Sequence, residues 1–479
     1  MEKKKKRIGI FLFCLLFIAS IILLIYIGLN DNVKYYTIFP IIAYIIGIFI
    51  NLSNFIKKEN NYVLYILSVL FFIRNIIIPF LSILDGTVMS YSYDTEYIKS
   101  LYLITYETIV VFISLNIFYR IIKVKQFKKK EDINSFSFIF KIILFIVIIC
   151  LLLFPALFRN YNILIQTDTD VRNEALLVAE EKLSSVPSLI RVLMVILMEP
   201  LRIFLSIYII DILYKKYREK QSQKYINISL LIVLLNAIIM TERKLFSIIF
   251  AFCLVLFLLR LYPKSTKKIL FICGVGLICV IGFVAFFKLF VIKTSLNEDN
   301  SLLKSIRAYV NSSDTNIKTA IQMKEIYDMP ISDKFSLFVK GDTLASMPLI
   351  QYFFSENKTT TYLFNETYYT KMQRYDQILP LIGQSYYYLG FVLAPLASVI
   401  CIVFSVFYEK KFHLQNNNYK VFLYIFIFVY LCLIPFLYNY NIMILYIFAF
   451  MIPLFLFIKL NLQKRSEKSV SKQSIWASK

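Results

Sequence analysis

Runs of about 20 mostly apolar residues recur along this chain, and each is as long as a bilayer's hydrocarbon core requires of a helix. They fall near 8–29, 36–56, 63–84, 99–122, 137–158, 189–213, 226–241, 245–262, 269–292, 382–407, 420–438 and 440–460. Segments of this kind must satisfy their backbone polar groups internally. The expected fold class is therefore an all-α integral membrane protein with about 12 transmembrane helices. The division around Thr241–Lys244 is the weakest, because one long kinked helix could replace the two runs beside it. The opening MEKKKKR before an apolar run resembles a signal peptide. The run to Leu29 is long enough to span and lacks a small-x-small cleavage site, so it reads as an uncleaved first span. Composition agrees, with 59% hydrophobic and 17% charged residues over 479 positions, too little charge for a soluble domain of that size.

The formal charge of +23 raises the question of a nucleic-acid partner. The basic residues, however, sit in short clusters between apolar runs, which is the distribution of positive-inside loops, so no nucleic acid is expected. Lys3–Arg7, Lys57–Lys58, Lys123–Lys130, Lys215–Lys224, Lys264–Lys268, Lys410–Lys411 and Lys464–Lys472 all fall on one side if the chain starts inside and each run crosses once. Both termini are then cytoplasmic, with a basic tail over 461–479. The opposite side receives segments near 85–99 and 159–188, and one large extracytoplasmic loop, 294–381, between helices 9 and 10. The expected organisation is thus helices 1–9 over 1–293, the loop or cap over 294–381, and helices 10–12 over 382–460. Within the loop, Ser313 is placed to cap a helix over 314–327, with Ile317, Ala320, Ile321 and Lys324 at helical spacing and a stop before Pro330. A second apolar stretch, 335–354, is expected along the membrane surface.

All seven cysteines lie inside apolar runs, and the single histidine, His413, lies in a basic loop. Neither pattern is that of a metal site or a redox pair, so no metal or cofactor is expected.

Charges inside spans are functional candidates because burying them in hydrocarbon is costly. Arg74 and Glu107 lie in the third and fourth runs, and Arg191, Glu199 and Arg202 in the sixth. Arg191 and Arg202 project within about 20° of each other on a helix, with Glu199 one turn from Arg202 and Pro200 placed to kink the helix. A charged stripe lining a cavity and a set of structural ion pairs, Arg74 with Glu107 and Glu199 with Arg202, are equally consistent with this spacing. Three further motifs face outward. In QTDTDVRNE, Asp168 and Asp170 form a D-x-D pattern that reads as a solvated loop, while Arg172 is suited to grip a phosphate, with Glu174 beside it. In TERK, Arg243 and Lys244 oppose the positive-inside trend, which either an anionic ligand or a snorkelling pair explains. In RYDQILPLIGQSYYYLG, Arg374 and Asp376 precede Gln384 and Tyr386–Tyr388, which suit either an interfacial aromatic belt or a sugar-binding groove.

The layout of many spans with one large outward loop before the last few, together with Gly383–Gly390, resembles the Wzy-type O-antigen and capsular repeat-unit polymerases. In that family the loop is followed by a motif of the form G-E-x-Y-x-x-F-G. Gly383, Tyr386 and Gly390 match, while Gln384 replaces the acid and Leu389 the Phe. The stretch around Arg243 is similar to the family's arginine-bearing helix turn, and Arg172 resembles its recurrent outward arginine. The resemblance implies a glycosyltransferase of the bacterial cytoplasmic membrane, moving a glycan from its polyprenyl-diphosphate carrier onto the next lipid-linked repeat unit. It implies diphosphate or substrate contact by Arg172, Arg191, Arg202, Arg243, Lys244, Arg374, Gln384 and Tyr386, and a base drawn from Glu174, Glu199 and Asp376. Metal is not required, because the leaving group is already activated. Donor and acceptor lipids, a chain-length regulator and a flippase are the implied partners. A lipid-linked oligosaccharide flippase and a glycan ligase share enough of the layout to stand as alternatives. The long loop and the lack of a visible repeat weigh against the flippase.

Overall fold

The apolar runs fold as helices because a helix closes each backbone N–H and C=O within its own segment. The computed structural model describes residues 2–28, 35–56, 61–84, 94–124, 131–132, 136–154, 161–163, 187–241, 244–276, 279, 313–348, 350–354, 358–368 and 378–464. Among these, five helices are long and apolar enough to cross a membrane: Gly9–Ile27, Tyr62–Leu81, Thr95–Ile121, Asn418–Leu437 and Tyr440–Asn461. The number rises to seven if each of two bent helix pairs counts as one span. Their outward faces carry large apolar side chains, such as Phe11 at 68% and Ile22 at 60% exposure. Water would penalise such a surface and hydrocarbon does not. The chain is that of a membrane-embedded protein.

Several expected spans take a different form. The 382–407 run is not one straight helix. It is Leu381–Leu393 followed by Leu396–Leu414, bent by 102°. Likewise the helix ending at Leu261 turns by 109° into Pro263–Gly276. The Gln223–Ile238 helix gives way to a short strand, Ile239–Thr241, paired antiparallel with Tyr161–Ile163. A second pairing joins Glu131–Asp132 to Gln463–Lys464, so the all-helical expectation holds for the described residues apart from these two ladders. Pro200 does not divide its helix, which runs without a break from Ser188 to Lys220. Most of the 269–292 run lies outside the described residues.

The chain divides into two compact units. One comprises Met1–Val124, Leu296–Lys410 and Ile427–Ile447, and the other Lys125–Ser295, Lys411–Phe426 and Phe448–Lys479. The intervening 294–381 segment thus belongs largely with the first helices and with the start of the 382–460 block.

Helix directions in the first unit follow from side-chain pairs. Arg74 meets Glu107 at 2.6 Å and the Leu64 N–H meets the Tyr119 hydroxyl at 3.3 Å, so these consecutive helices run antiparallel. Ser398 donates to Glu107 and Tyr119 to Glu409, so Thr95–Ile121 and Leu396–Leu414 run parallel. Asn51 donates to the Phe112 carbonyl and Asn54 to Asn116, which makes Phe39–Ile50 parallel to Thr95–Ile121 as well. In the second unit, the Ser188–Lys220 helix ends at Gln221, whose left-handed φ of 51° turns the chain back into Gln223–Ile238. Asn236 then reaches Ser206 at 3.2 Å. Phe140, Phe204 and Phe457 form an aromatic core there.

The cap at Ser313 forms as expected, its hydroxyl accepting from the Asn316 N–H at the start of Asp314–Ile326. Ile317, Ala320 and Ile321 on that helix are buried. Ile317 and Ile321 pack with Leu103 and Ile104 of the Thr95–Ile121 helix and with Ile382 and Ala394. Asp94 caps the latter helix through the N–H groups of Glu96 and Tyr97 and forms an ion pair with Lys318, while the Tyr97 hydroxyl donates to Asp314 at 2.8 Å.

Candidate functional site

Gly383–Gly390 is where the intervening segment meets the membrane helices. Pro380 stands just before the Leu381–Leu393 helix, where a missing N–H costs nothing. Gly383 faces the Asp314–Ile326 helix so closely that an added Cβ would lie 2.5 Å from the Ala320 Cβ. Gly390 breaks the helix at φ 75° and ψ −177°, a region only glycine visits freely. The two glycines of the motif therefore do different work, one close approach and one backbone break.

A helix that stops inside an apolar run leaves its last carbonyls short of donors and its negative dipole end uncovered. Lys324 answers both, donating from Nζ to the Tyr386 carbonyl at 3.1 Å and lying 4.3 Å over the Tyr386 ring. Burial, with the charge of Lys334 next, pushes the Lys324 ammonium below the usual lysine range. Lys334 sits 5.5 Å over the Tyr387 ring and pairs with Asp328 at 2.7 Å. That bond holds the Asp328 carboxyl below its ordinary range. The Tyr387 hydroxyl donates to the Tyr327 carbonyl at 3.1 Å. An ammonium carries three hydrogens, so each lysine keeps donors for an anion beside two aromatic rings.

Gln384 is buried. Its Nε2 lies 2.7 Å from Asp342 Oδ2, 2.8 Å from Thr360 Oγ1 and 2.8 Å from Asn441 Oδ1. Its Oε1 accepts the Tyr440 N–H at 2.9 Å. Asp342 further accepts from the Thr360 N–H and hydroxyl at 2.9 and 2.6 Å, from Asn441 Nδ2 at 2.9 Å and from the Tyr388 hydroxyl at 2.7 Å. Phe338 stacks on Tyr440 and meets Tyr388 edge-on, closing the cluster.

The candidates separate by their place in the fold. Glu199 and Arg202 are paired at 2.8 Å, with the guanidinium 5.6 Å over the Phe250 ring, inside the second unit. Arg191 belongs to the same helix and Lys244 opens the Lys244–Leu261 helix, but their side chains lie outside the described residues. Arg172, Glu174, Arg243, Arg374 and Asp376, with the Asp168–Asp170 pattern, also lie outside them. Gln384 and Tyr386 are brought together on one helix of the first unit. Arg74 and Glu107 form the other ion pair the spacing allowed, 2.6 Å apart and fully buried, with Asn75, Thr108 and Ser398 completing it.

Sequence reasoning passed over Asp342, Thr360 and Asn441. The available signal was an acid in KGDT inside the apolar 335–354 stretch and an Asn-Tyr-Asn between the last two apolar runs. Among the described residues no three His, Cys, Asp or Glu side chains gather as a metal site would need. Chemically, the segment presents cations and aromatic faces around a rigid, polar-braced turn. Comparison of the chain with protein-family models, with curated proteins and with solved structures finds no match.

Proposed function

We propose that this protein is a glycosyltransferase of the bacterial cytoplasmic membrane that polymerises polyprenyl-diphosphate-linked oligosaccharide repeat units at the outer face. In this reading the chain crosses about 12 times with both ends inside, and the 294–381 segment lies outside. The observation that carries it is the helix break at Gly390, which sets Lys324 and Lys334 against the Tyr386 and Tyr387 rings. Ammonium groups suit a diphosphate leaving group, and aromatic rings suit the faces of sugars. The parallel course of Thr95–Ile121 and Leu396–Leu414 supports the same span parity, because both are counted as crossing inward.

In the reaction, the acceptor hydroxyl attacks the sugar carbon bearing the diphosphate. The carbon–oxygen bond to the carrier breaks, and the polyprenyl diphosphate leaves with the electron pair. Arg172, Arg243 and Arg374 are the arginines proposed to steady that charge, with Lys244 and the Arg191–Arg202 stripe lining the approach. Glu174 and Asp376 are the carboxylates proposed as base. Glu199 is the weaker choice, because its pairing with Arg202 already engages it. Asp342 is no base, since five hydrogen bonds occupy its two oxygens.

The deciding experiment is the lipid-linked product that accumulates in a deletion strain. The proposal expects single repeat units on the outer leaflet. Units trapped inside would mean a flippase, and full-length glycan left on its carrier would mean a ligase.

A further inference from the structure

The amide orientations around Asp342 follow from one backbone donor. The Tyr440 N–H must donate, so Gln384 turns its Oε1 toward it and its NH2 toward Asp342, Thr360 and Asn441. Asn441 therefore presents Oδ1 to that NH2 and its own NH2 to Asp342 Oδ1 at 2.9 Å. The Thr360 N–H has no other role than donor, and the hydroxyls of Thr360 and Tyr388 point at Oδ2, at 2.6 and 2.7 Å. Every bond that reaches the two oxygens of Asp342 is donated to them, and the carboxylate is fully buried. A protonated acid would bring a hydrogen to a position where its neighbours already direct theirs.

From this we infer that Asp342 carries the negative charge of the cluster, that residue 384 has to be neutral beside it, and that Asp342 is a positioning residue. It ties the Leu337–Thr343 π-helix, the Thr360–Tyr368 helix and Tyr440–Tyr446 to Gln384 and Tyr388, and so fixes the helix that presents Tyr386 to Lys324. An acid at 384 would stand oxygen to oxygen with Asp342 at the present 2.7 Å. Exchanging acid and amide together restores a donor–acceptor contact between 342 and 384, and leaves Asn441 Oδ1 as the group turned oxygen to oxygen toward 384.

The test is a full-length cycle of Asp342→Asn, Gln384→Glu and the double Asp342→Asn/Gln384→Glu, read first by thermal unfolding of purified protein in lipid nanodiscs. This first arm does not depend on the proposed reaction. Gln384→Glu is expected to lower the unfolding midpoint by about 5 °C or more, and the double variant to recover part of that loss, the contact with Asn441 Oδ1 holding back the rest. If Gln384→Glu does not fold, Gln384→Met, which removes the same hydrogen bonds without adding charge, is expected to fold. Equal damage from Met and Glu, or a double variant as unstable as both losses added, overturns the charge assignment. The second arm rests on the polymerase reading and measures chain length. Chain growth should fall at least about tenfold in Gln384→Glu and return in the double variant. A double variant that regains its unfolding midpoint while chain growth stays lost overturns the positioning role and leaves the charge assignment standing.

Discussion

Glu107 and Asp342 are both fully buried acids of the same compact unit, and they are held by different kinds of partner. Glu107 faces Arg74 at 2.6 Å, one full charge against another, with the guanidinium also 4.6 and 5.1 Å over the Phe71 and Phe436 rings. Asp342 has only neutral donors as hydrogen-bond partners, from Thr360, Gln384, Tyr388 and Asn441. The first arrangement joins neighbouring helices and depends on a single charged partner, with Ser398 donating to the other oxygen. The second spreads its dependence over four residues drawn from three helices. The difference teaches which losses the protein can absorb: removing one neutral donor leaves Asp342 the others, whereas removing Glu107 strands a buried guanidinium.

That contrast can be broken most sharply at Glu107. Glu107→Ala should cost about 3–5 kcal/mol of stability by leaving Arg74 uncompensated, while Arg74→Met/Glu107→Leu should cost much less. Unfolding in detergent with increasing denaturant checks both, and a single variant as stable as the double would remove the distinction. Next in size is Gly390, whose φ of 75° and ψ of −177° hold the break that the Asp342 cluster braces. Gly390→Ala should cost about 1–3 kcal/mol through backbone strain, measured in the same way. No loss would mean that the break is not needed for the fold.

The smallest effect concerns the rim of the segment. Burial works against the charge of Asp94, but the hydrogen bonds from Glu96 and Tyr97 and the Lys318 ion pair outweigh it and hold the carboxyl at about 2, below its ordinary 3.8. A depressed acid stabilises the fold fully above its unfolded value. Stability should therefore be flat above pH about 4 and decline as pH falls through about 2. The contribution is modest because the group is partly exposed. Lys318→Met should weaken that acid dependence, and an unchanged acid limb would count against the pair.

Much of the fold was legible because its causes are local. Apolar run length marked the helices, Ser313 marked a helix start, and the Arg74–Glu107 and Glu199–Arg202 pairs were both among the spacings allowed. The breaks were not legible. Gly390 sits in an apolar run that reads as continuous, and only the packing of Asp314–Ile326, with Lys324 supplying a donor and a charge, makes a stop there affordable. Gln384 was noticed as a departure from an expected acid, yet its reason lies 42 positions away at Asp342. Distant partners of that kind leave no periodicity, spacing or cap for a reader of the chain to find.

The central claim is tested most directly by purified protein in proteoliposomes with a synthetic polyprenyl-diphosphate-linked repeat unit. The account predicts lipid-linked chains of two or more units, with one free polyprenyl diphosphate released for each linkage formed. Repeat units that stay single while moving across the bilayer would contradict it.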